Sequence, residues 1–251
     1  MMQTRVDCHI KTLSPSVIAR AAARGVDAVV YAPHFTPLPE IEATAAAYHD
    51  APVTVIPGRE IFTGGWRSRR HILAVGMTEP VPDFIELEAA LDALTDQGAT
   101  VLVPHPGFAT VSLGAAEVAA YADRLDAIEV ENFKSRRRHN RRARAIAADS
   151  DLPTFGSSYA HLPASVGATV TVFEAALPDA DAVISAIGGT GARRIETLDD
   201  AQSQLQGILE FSHLGWENTV QKLRRVGSPA PAATHPRAPL YCGEFDSASV
   251  Y

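Results

Sequence analysis

Nine histidines fall in this chain of 251 residues, and histidine is the side chain that most readily serves as metal ligand or proton carrier near neutral pH. Five stand at or beside short apolar runs: His9 follows RVDC, His34 follows AVVYAP, His71 begins HILAVG, His105 follows TVLVP and His161 closes PTFGSSYAH. Glu60, in VIPGREIF, joins them just past another such run, where Gly58 permits a tight turn. One carboxylate among several imidazoles is a borderline ligand set, better suited to zinc or manganese, with iron also compatible, than to oxygen-seeking magnesium. Metals held this way lower the pKa of coordinated water to about neutral and polarise a phosphoryl or carbonyl oxygen, so hydrolysis is the expected chemistry.

Residues so far apart in sequence must be brought together by the fold. Short β-branched runs at Thr4–Cys8, Asp27–Tyr31, Val53–Ile56, His71–Val75, Thr100–Val103, Ala127–Val130, Pro153–Phe155, Ala168–Val172 and Arg194–Thr197 predict strands. Between them SPSVIARAAARG, PDFIELEAALDALTDQG, AAEVAAYADRL and DADAVISAIGGTG carry apolar residues near helical spacing. The alternation predicts an α/β fold, a mainly parallel sheet with helical crossovers. In βα barrels the strand ends converge on one rim, which makes a shared site the economical account of the five histidines. His49, His213 and His235 fall in helical or linker contexts, and Cys8 reads as a buried small hydrophobe. Residues 201–226 predict one long amphipathic helix or two short ones, followed by a proline- and alanine-rich linker and a tail. Trp216, Phe245 and Tyr251 suggest that this tail packs on the body or on a second subunit. The expected division is a barrel over residues 1–200 and an extension over 201–251.

Composition bounds the function. The chain is 46% hydrophobic, which supports a sizeable core, and its net charge of −7 disfavours a protein that binds nucleic acid over its whole surface. Two cysteines, Cys8 and Cys242, make no disulfide scaffold, so a reducing cytoplasm is the expected location. No apolar run approaches the ~20 residues of a membrane span.

The blocks VDCHIKT, AVVYAPHF, VIPGREI, HILAVG, VLVPHPG, AIEVENF and GSSYAH, in this order from about Thr4 to Thr197, resemble the PHP (polymerase and histidinol phosphatase) superfamily of metal-dependent phosphoesterases. The resemblance implies a distorted (β/α)7 TIM-like barrel of PHP type with a C-terminal helical and tail extension. It also implies a rim that binds metal and hydrolyses phosphoesters. Carried over position by position, His9, His34, Glu60, His71, His105 and His161 match the family's metal ligands. Lys11, Pro33 and Tyr159 stand where the family has histidine, aspartate and aspartate. By this resemblance Glu60, His71 and His105 hold one metal completely, His34 and His161 form a reduced second set, and His9 is the remnant of a third. One or two divalent ions are therefore expected. Lys11 would supply positive charge to a phosphate where an ion is missing, and His34 and His161 would bind a second ion or serve as acid and phosphate ligand.

Two arginine-rich segments bear on substrate. WRSRR leads into His71 and FKSRRRHNRRAR follows AIEVEN, so Arg67, Arg69, Arg70, Arg136 and Arg137 could meet phosphate oxygens in a bidentate fork. The expected function is metal-dependent hydrolysis of a small phosphorylated or nucleotidic substrate, with no membrane partner and with self-association through the extension as an option. The competing expectation is a catalytically degenerate barrel that binds nucleic acid or a protein through its arginine run.

Overall fold

The computed structural model describes residues 2–65, 68–108, 111–198, 233–241 and 243–250. Trp66, Arg67, Trp216, Cys242, Tyr251 and the helix expected over 201–226 lie outside the described residues. The β-branched runs form β1 (Thr4–Ile10), β2 (Ala28–Tyr31), β3 (Thr54–Thr63), β4 (Arg70–Val75), β5 (Thr100–Val103), β6 (Ala127–Asn132), β7 (Thr154–Ser157), β8 (Thr169–Phe173) and β9 (Arg193–Thr197). The helices between them are α1 (Pro15–Ala23), α2 (Leu38–Ala46), α3 (Leu87–Asp96), α4 (Ala115–Ala120), α5 (Arg137–Ala148) and α6 (Ala180–Gly188). Side-chain caps start two of them: Ser14 accepts from Val17 N at α1 and Asp179 from Ala182 N at α6.

The strands form one sheet in the order β7-β6-β5-β4-β3-β2-β1-β8-β9. This corrects the expectation of a mainly parallel sheet. The pairs β1–β2, β2–β3, β5–β6 and β6–β7 are parallel, but β3–β4, β4–β5, β1–β8 and β8–β9 are antiparallel. Only residues 64–69 separate β3 from β4, far fewer than a parallel crossover needs, so β4 turns back along β3. β5 then resumes the direction of β3.

The far edge returns to the start. Lys11 N donates to Ala160 O at 2.8 Å, and Gly156 and Thr171 exchange hydrogen bonds between backbone and hydroxyl at 2.9 and 3.0 Å. A Cβ on Gly156 would lie 2.5 Å from Ile195 and 3.0 Å from Thr169, so glycine is what lets these edges approach. The result is the expected distorted barrel, nearly closed, with nine strands in its ladder.

Val6, Cys8, Val30, Ile56, Leu73 and Phe155 come from five strands and form one buried apolar cluster in the barrel. Alternation along β3 and β4 puts Glu60 and His71 on the same side as Ile56 and Leu73, so the polar centre stands directly above this apolar floor. β1 reaches the centre differently. Its register shifts between Asp7 and Ile10, and this bulge lets adjacent Cys8 and His9 both face inward while Ile10 joins the outer layer under α1.

Part of the C-terminal segment covers the outside of β3. Asp83 N donates to Thr234 O at 2.8 Å, Val250 N donates to Phe84 O at 3.0 Å, and Tyr241 is buried. Beneath it Arg59 and Asp83 form a fully buried ion pair at 2.7 Å, one residue from Glu60 but on the opposite face of the strand.

Candidate metal centre

The rim gathers residues from six strands because each contributes an end. His9 is the last residue but one of β1, while His34, His105 and His161 follow β2, β5 and β7. Glu60 lies in the second half of β3, which runs on past Ile56 to Thr63 and pairs Gly58 with Val75, and this corrects the expectation that Glu60 stands beyond the strand at a tight turn. Since β4 runs antiparallel, His71 reaches the same rim from the start of its strand. Three of the four non-glycine residues with left-handed backbone among those described, Phe35 (φ 53°), His105 (φ 34°) and Tyr159 (φ 49°), sit in or beside these exits. Such strained positions are held only where surrounding structure overrides their cost, as it does around functional sites.

Glu60 is the hub, fully buried, and its two oxygens face different groups. Oε1 lies 2.7 Å from His71 Nδ1 and 3.0 Å from His105 Nε2. Oε2 pairs closely with Lys11 Nζ and lies 3.3 Å from His9 Nε2 and 3.5 Å from His34 Nδ1. Lys11 Nζ also donates to Ala32 O at 2.5 Å, so the ammonium is fixed inside the centre. Burial alone would raise the Glu60 carboxyl, but Lys11 and the imidazoles override it and hold it well below the usual carboxylate range. Burial, with Lys11 next, pushes His9 down to about 3 and His34 well below its usual value. Burial also lowers His71, and burial with Lys134 and Lys11 lowers His161. These four imidazoles are neutral at pH 7 and carry lone pairs.

Glu60, His71 and His105 bring one donor atom each within 4.8 Å of the others. His105 Nδ1 contacts Ser112 Oγ at 2.6 Å, which leaves Nε2 as the ligand atom when the imidazole donates to that hydroxyl. Glu129, itself buried, accepts from His105 N at 2.6 Å, from Ser157 and from Asn132, and so fixes the backbone of this exit. His71 Nε2, both ring nitrogens of His9 and His34 Nδ1 are buried with no hydrogen-bond partner among the described residues. Buried polar atoms are seldom left so, and this donor set fits a borderline divalent ion.

The remaining expected residues divide. His9 and His34 stand on the Oε2 side with Lys11, outside the three-residue group. His161 lies 6.4 Å from His34 and 5.0 Å from Tyr159, ring to ring, and its Nδ1 is 2.8 Å from Lys134 Nζ. Tyr159 packs tilted against His9, 4.7 Å from ring to ring, and fills space at the centre. Arg70 points the other way along β4 and pairs with Glu117 at 2.5 Å. Arg136 and Arg137 are exposed at the start of α5, whose outer face is rich in arginine. Sequence reasoning missed Ser112 and Lys134. A signal for Lys134 existed: the chain has only three lysines, Lys11, Lys134 and Lys222, and Lys134 follows a strand exit as Lys11 does.

A family model described as PHP-associated matches residues 137–189, from α5 to α6. No curated protein matches the chain. Among solved structures the chain is similar to PsfC from Pseudomonas syringae PB-5123, with a TM-score of 0.62 and 20% identity over 85% of this chain and 100% of that one. It is also similar to a two-domain protein from Bacteroides vulgatus ATCC 8482 containing a predicted PHP-like metal-dependent phosphoesterase (TM-score 0.60, 17% identity, 83% and 70% covered). A third is the lesion-specific endonuclease PfuEndoQ from Pyrococcus furiosus (TM-score 0.60, 19% identity, 79% of this chain), of which the chain spans 60%.

Proposed function

We propose that this chain, whose fold is that of the PHP superfamily, is a hydrolase of phosphoesters that works with one divalent ion and one built-in ammonium. The observation that carries this reading is the division of Glu60. Its Oε1 side offers His71 and His105, and its Oε2 side holds Lys11. Glu60, His71 and His105 would hold zinc or manganese, whose Lewis acidity polarises a phosphoryl oxygen when it is bound. Lys11 brings positive charge to the other half of the centre and neutralises charge developing on phosphoryl oxygens. Its ammonium also occupies the space beside Oε2, where a second cation would need to sit, and so repels one. His9, neutral and buried, and His34, neutral and half-buried, line this side. The similarity to a PHP-like phosphoesterase and to an endonuclease supports the reaction class, and the substrate we favour is a small phosphorylated or nucleotidic molecule.

Protein purified without chelator tests the reading. It should carry about one zinc, manganese or iron per chain and hydrolyse p-nitrophenyl phosphate or bis-p-nitrophenyl phosphate with stimulation by manganese. Absence of both metal and hydrolysis would leave the binding alternative, favoured by one observation: the six arginines of residues 136–144 have no acidic residue among them. Salt-dependent affinity for nucleic acid that survives Glu60→Ala would support that alternative.

A further inference from the structure

Lys134 stands two residues beyond β6 and is buried, with 5% of its surface exposed. Its backbone is clamped: Lys134 N donates to Asn132 Oδ1 at 3.1 Å, and Asn132 Nδ2 donates to Glu129 Oε2 at 3.1 Å. The ammonium lies 4.7 Å above the Tyr159 ring and 2.8 Å from His161 Nδ1. An ammonium has three donors and no acceptor, so in this contact Lys134 donates and Nδ1 supplies its lone pair. A neutral imidazole carries one N–H, which must then be on Nε2. Tyr159 O, 3.1 Å from the same Nδ1, would favour the opposite tautomer, but it can only accept. Nδ1 cannot serve both, and the shorter, charge-assisted bond to Lys134 is the stronger.

We infer that Lys134 is a positioning residue that fixes His161 as its Nε2–H tautomer, making it a hydrogen-bond donor to a phosphoryl oxygen in place of a ligand to a second metal. The inference rests on the phosphoesterase reading for the identity of the acceptor, but not for the tautomer. A protonated Nε2 has no lone pair for a metal. His34 and His161, which could otherwise share a second ion, therefore cannot do so while Lys134 is in place. The centre then has one metal position bounded by two lysines, Lys11 on Glu60 and Lys134 on His161.

Long-range nitrogen-15 spectra of histidine-labelled protein, chelated and then zinc-loaded, test this directly, with His161 assigned from the spectrum of His161→Gln. Wild type should show His161 Nδ1 unprotonated and Nε2 protonated in both states, with one zinc per chain, as for a single ligand set. In Lys134→Met the proton should move to Nδ1 to reach Tyr159 O, and turnover should fall by about 10²-fold or more as an aligned phosphate donor is lost. Lys134→Arg should retain the wild-type tautomer. A protonated Nδ1 in wild type, or a zinc-shifted His161 Nε2, overturns the inference, and the wild-type spectrum decides this even if Lys134→Met fails to fold. A wild-type protein with the expected tautomer and one zinc, yet no hydrolysis of either ester, overturns the phosphoesterase reading instead.

Discussion

The two sides of Glu60 solve the same electrostatic problem in different ways. On each side a buried carboxylate oxygen needs positive charge, because desolvation without it would drive the group to protonate. On the Oε1 side the neighbours are His71 and His105, and His105 is steadied from behind by Ser112. Among the described residues that side has no fixed cation paired with Oε1, and it has the geometry to recruit one. On the Oε2 side Lys11 supplies the charge covalently, and His9 and His34 stand idle around it. Imidazoles are therefore a poor count of metal ions: what decides is whether an ammonium already occupies the space they surround.

The largest test removes the hub. Glu60→Gln takes away one metal donor and leaves Lys11 buried without its carboxylate, so hydrolysis should fall by at least about 10³-fold, with a stability loss of about 3–5 kcal/mol. Metal retained at the wild-type level would break the comparison at its centre. Acid should act next most strongly. The folded values of His9, His34, His71 and His161 are depressed below the ~6.5 of an unfolded histidine. Their contribution is thus complete above pH ~6.5 and is lost as pH falls toward the folded values, for His9 toward about 3. Each can cost up to ~1.4 kcal/mol per pH unit. Asp7, Asp126 and Glu129 work in the opposite sense, since burial raises each of them, Asp7 to about 6, and they take back part of this loss. Urea unfolding of the chelated protein should show a loss of up to about 5 kcal/mol between pH 7.5 and 5.5, and a flat profile would mean that these imidazoles are solvated.

Lys11 separates the two sides. Lys11→Met should lower turnover about 10²–10³-fold while leaving metal on the Oε1 side. Lys11→His, which restores a ligand, should raise the metal content above that of wild type. Unchanged metal and unchanged activity in Lys11→His would end the idea that the lysine replaces an ion. Ser112→Ala should have a smaller effect confined to the Oε1 side, weakening zinc binding about 10–100-fold, the usual scale for losing the group that orients a ligand histidine.

Much of this arrangement is legible in the sequence. All nine strands lie where β-branched runs predicted them, because such runs between turn residues have few other uses. The meeting of His9, His34, Glu60, His71, His105 and His161 follows from strand ends sharing a rim. The direction of β4 was hidden, since side-chain period carries no sign of direction and only the short connection over 64–69 betrays it. The inward turn of His9 depends on a bulge that no pattern in RVDCHI announces. Lys134 was obscured by company: beside Arg136–Arg144 a lone lysine reads as one more solvated charge. Its role comes from a tertiary contact with His161, twenty-seven residues away.

The smallest effect lies one residue from the centre. Arg70 and His71 are adjacent on β4, so their side chains leave opposite faces of the sheet. His71 reaches Glu60, whereas Arg70 reaches Glu117, whose other oxygen accepts from Gly114 N at 2.7 Å at the start of α4. Both partners are partly exposed, and such pairs contribute at most about 1 kcal/mol. Arg70→Ala should therefore lower Tm by no more than about 4 °C and leave the KM for p-nitrophenyl phosphate within about twofold, a change of under ~0.5 kcal/mol. A tenfold rise in KM, about 1.4 kcal/mol, would move Arg70 to the substrate. It would also show that the boundary between the phosphate-binding rim and the supporting surface does not follow the alternation of β4.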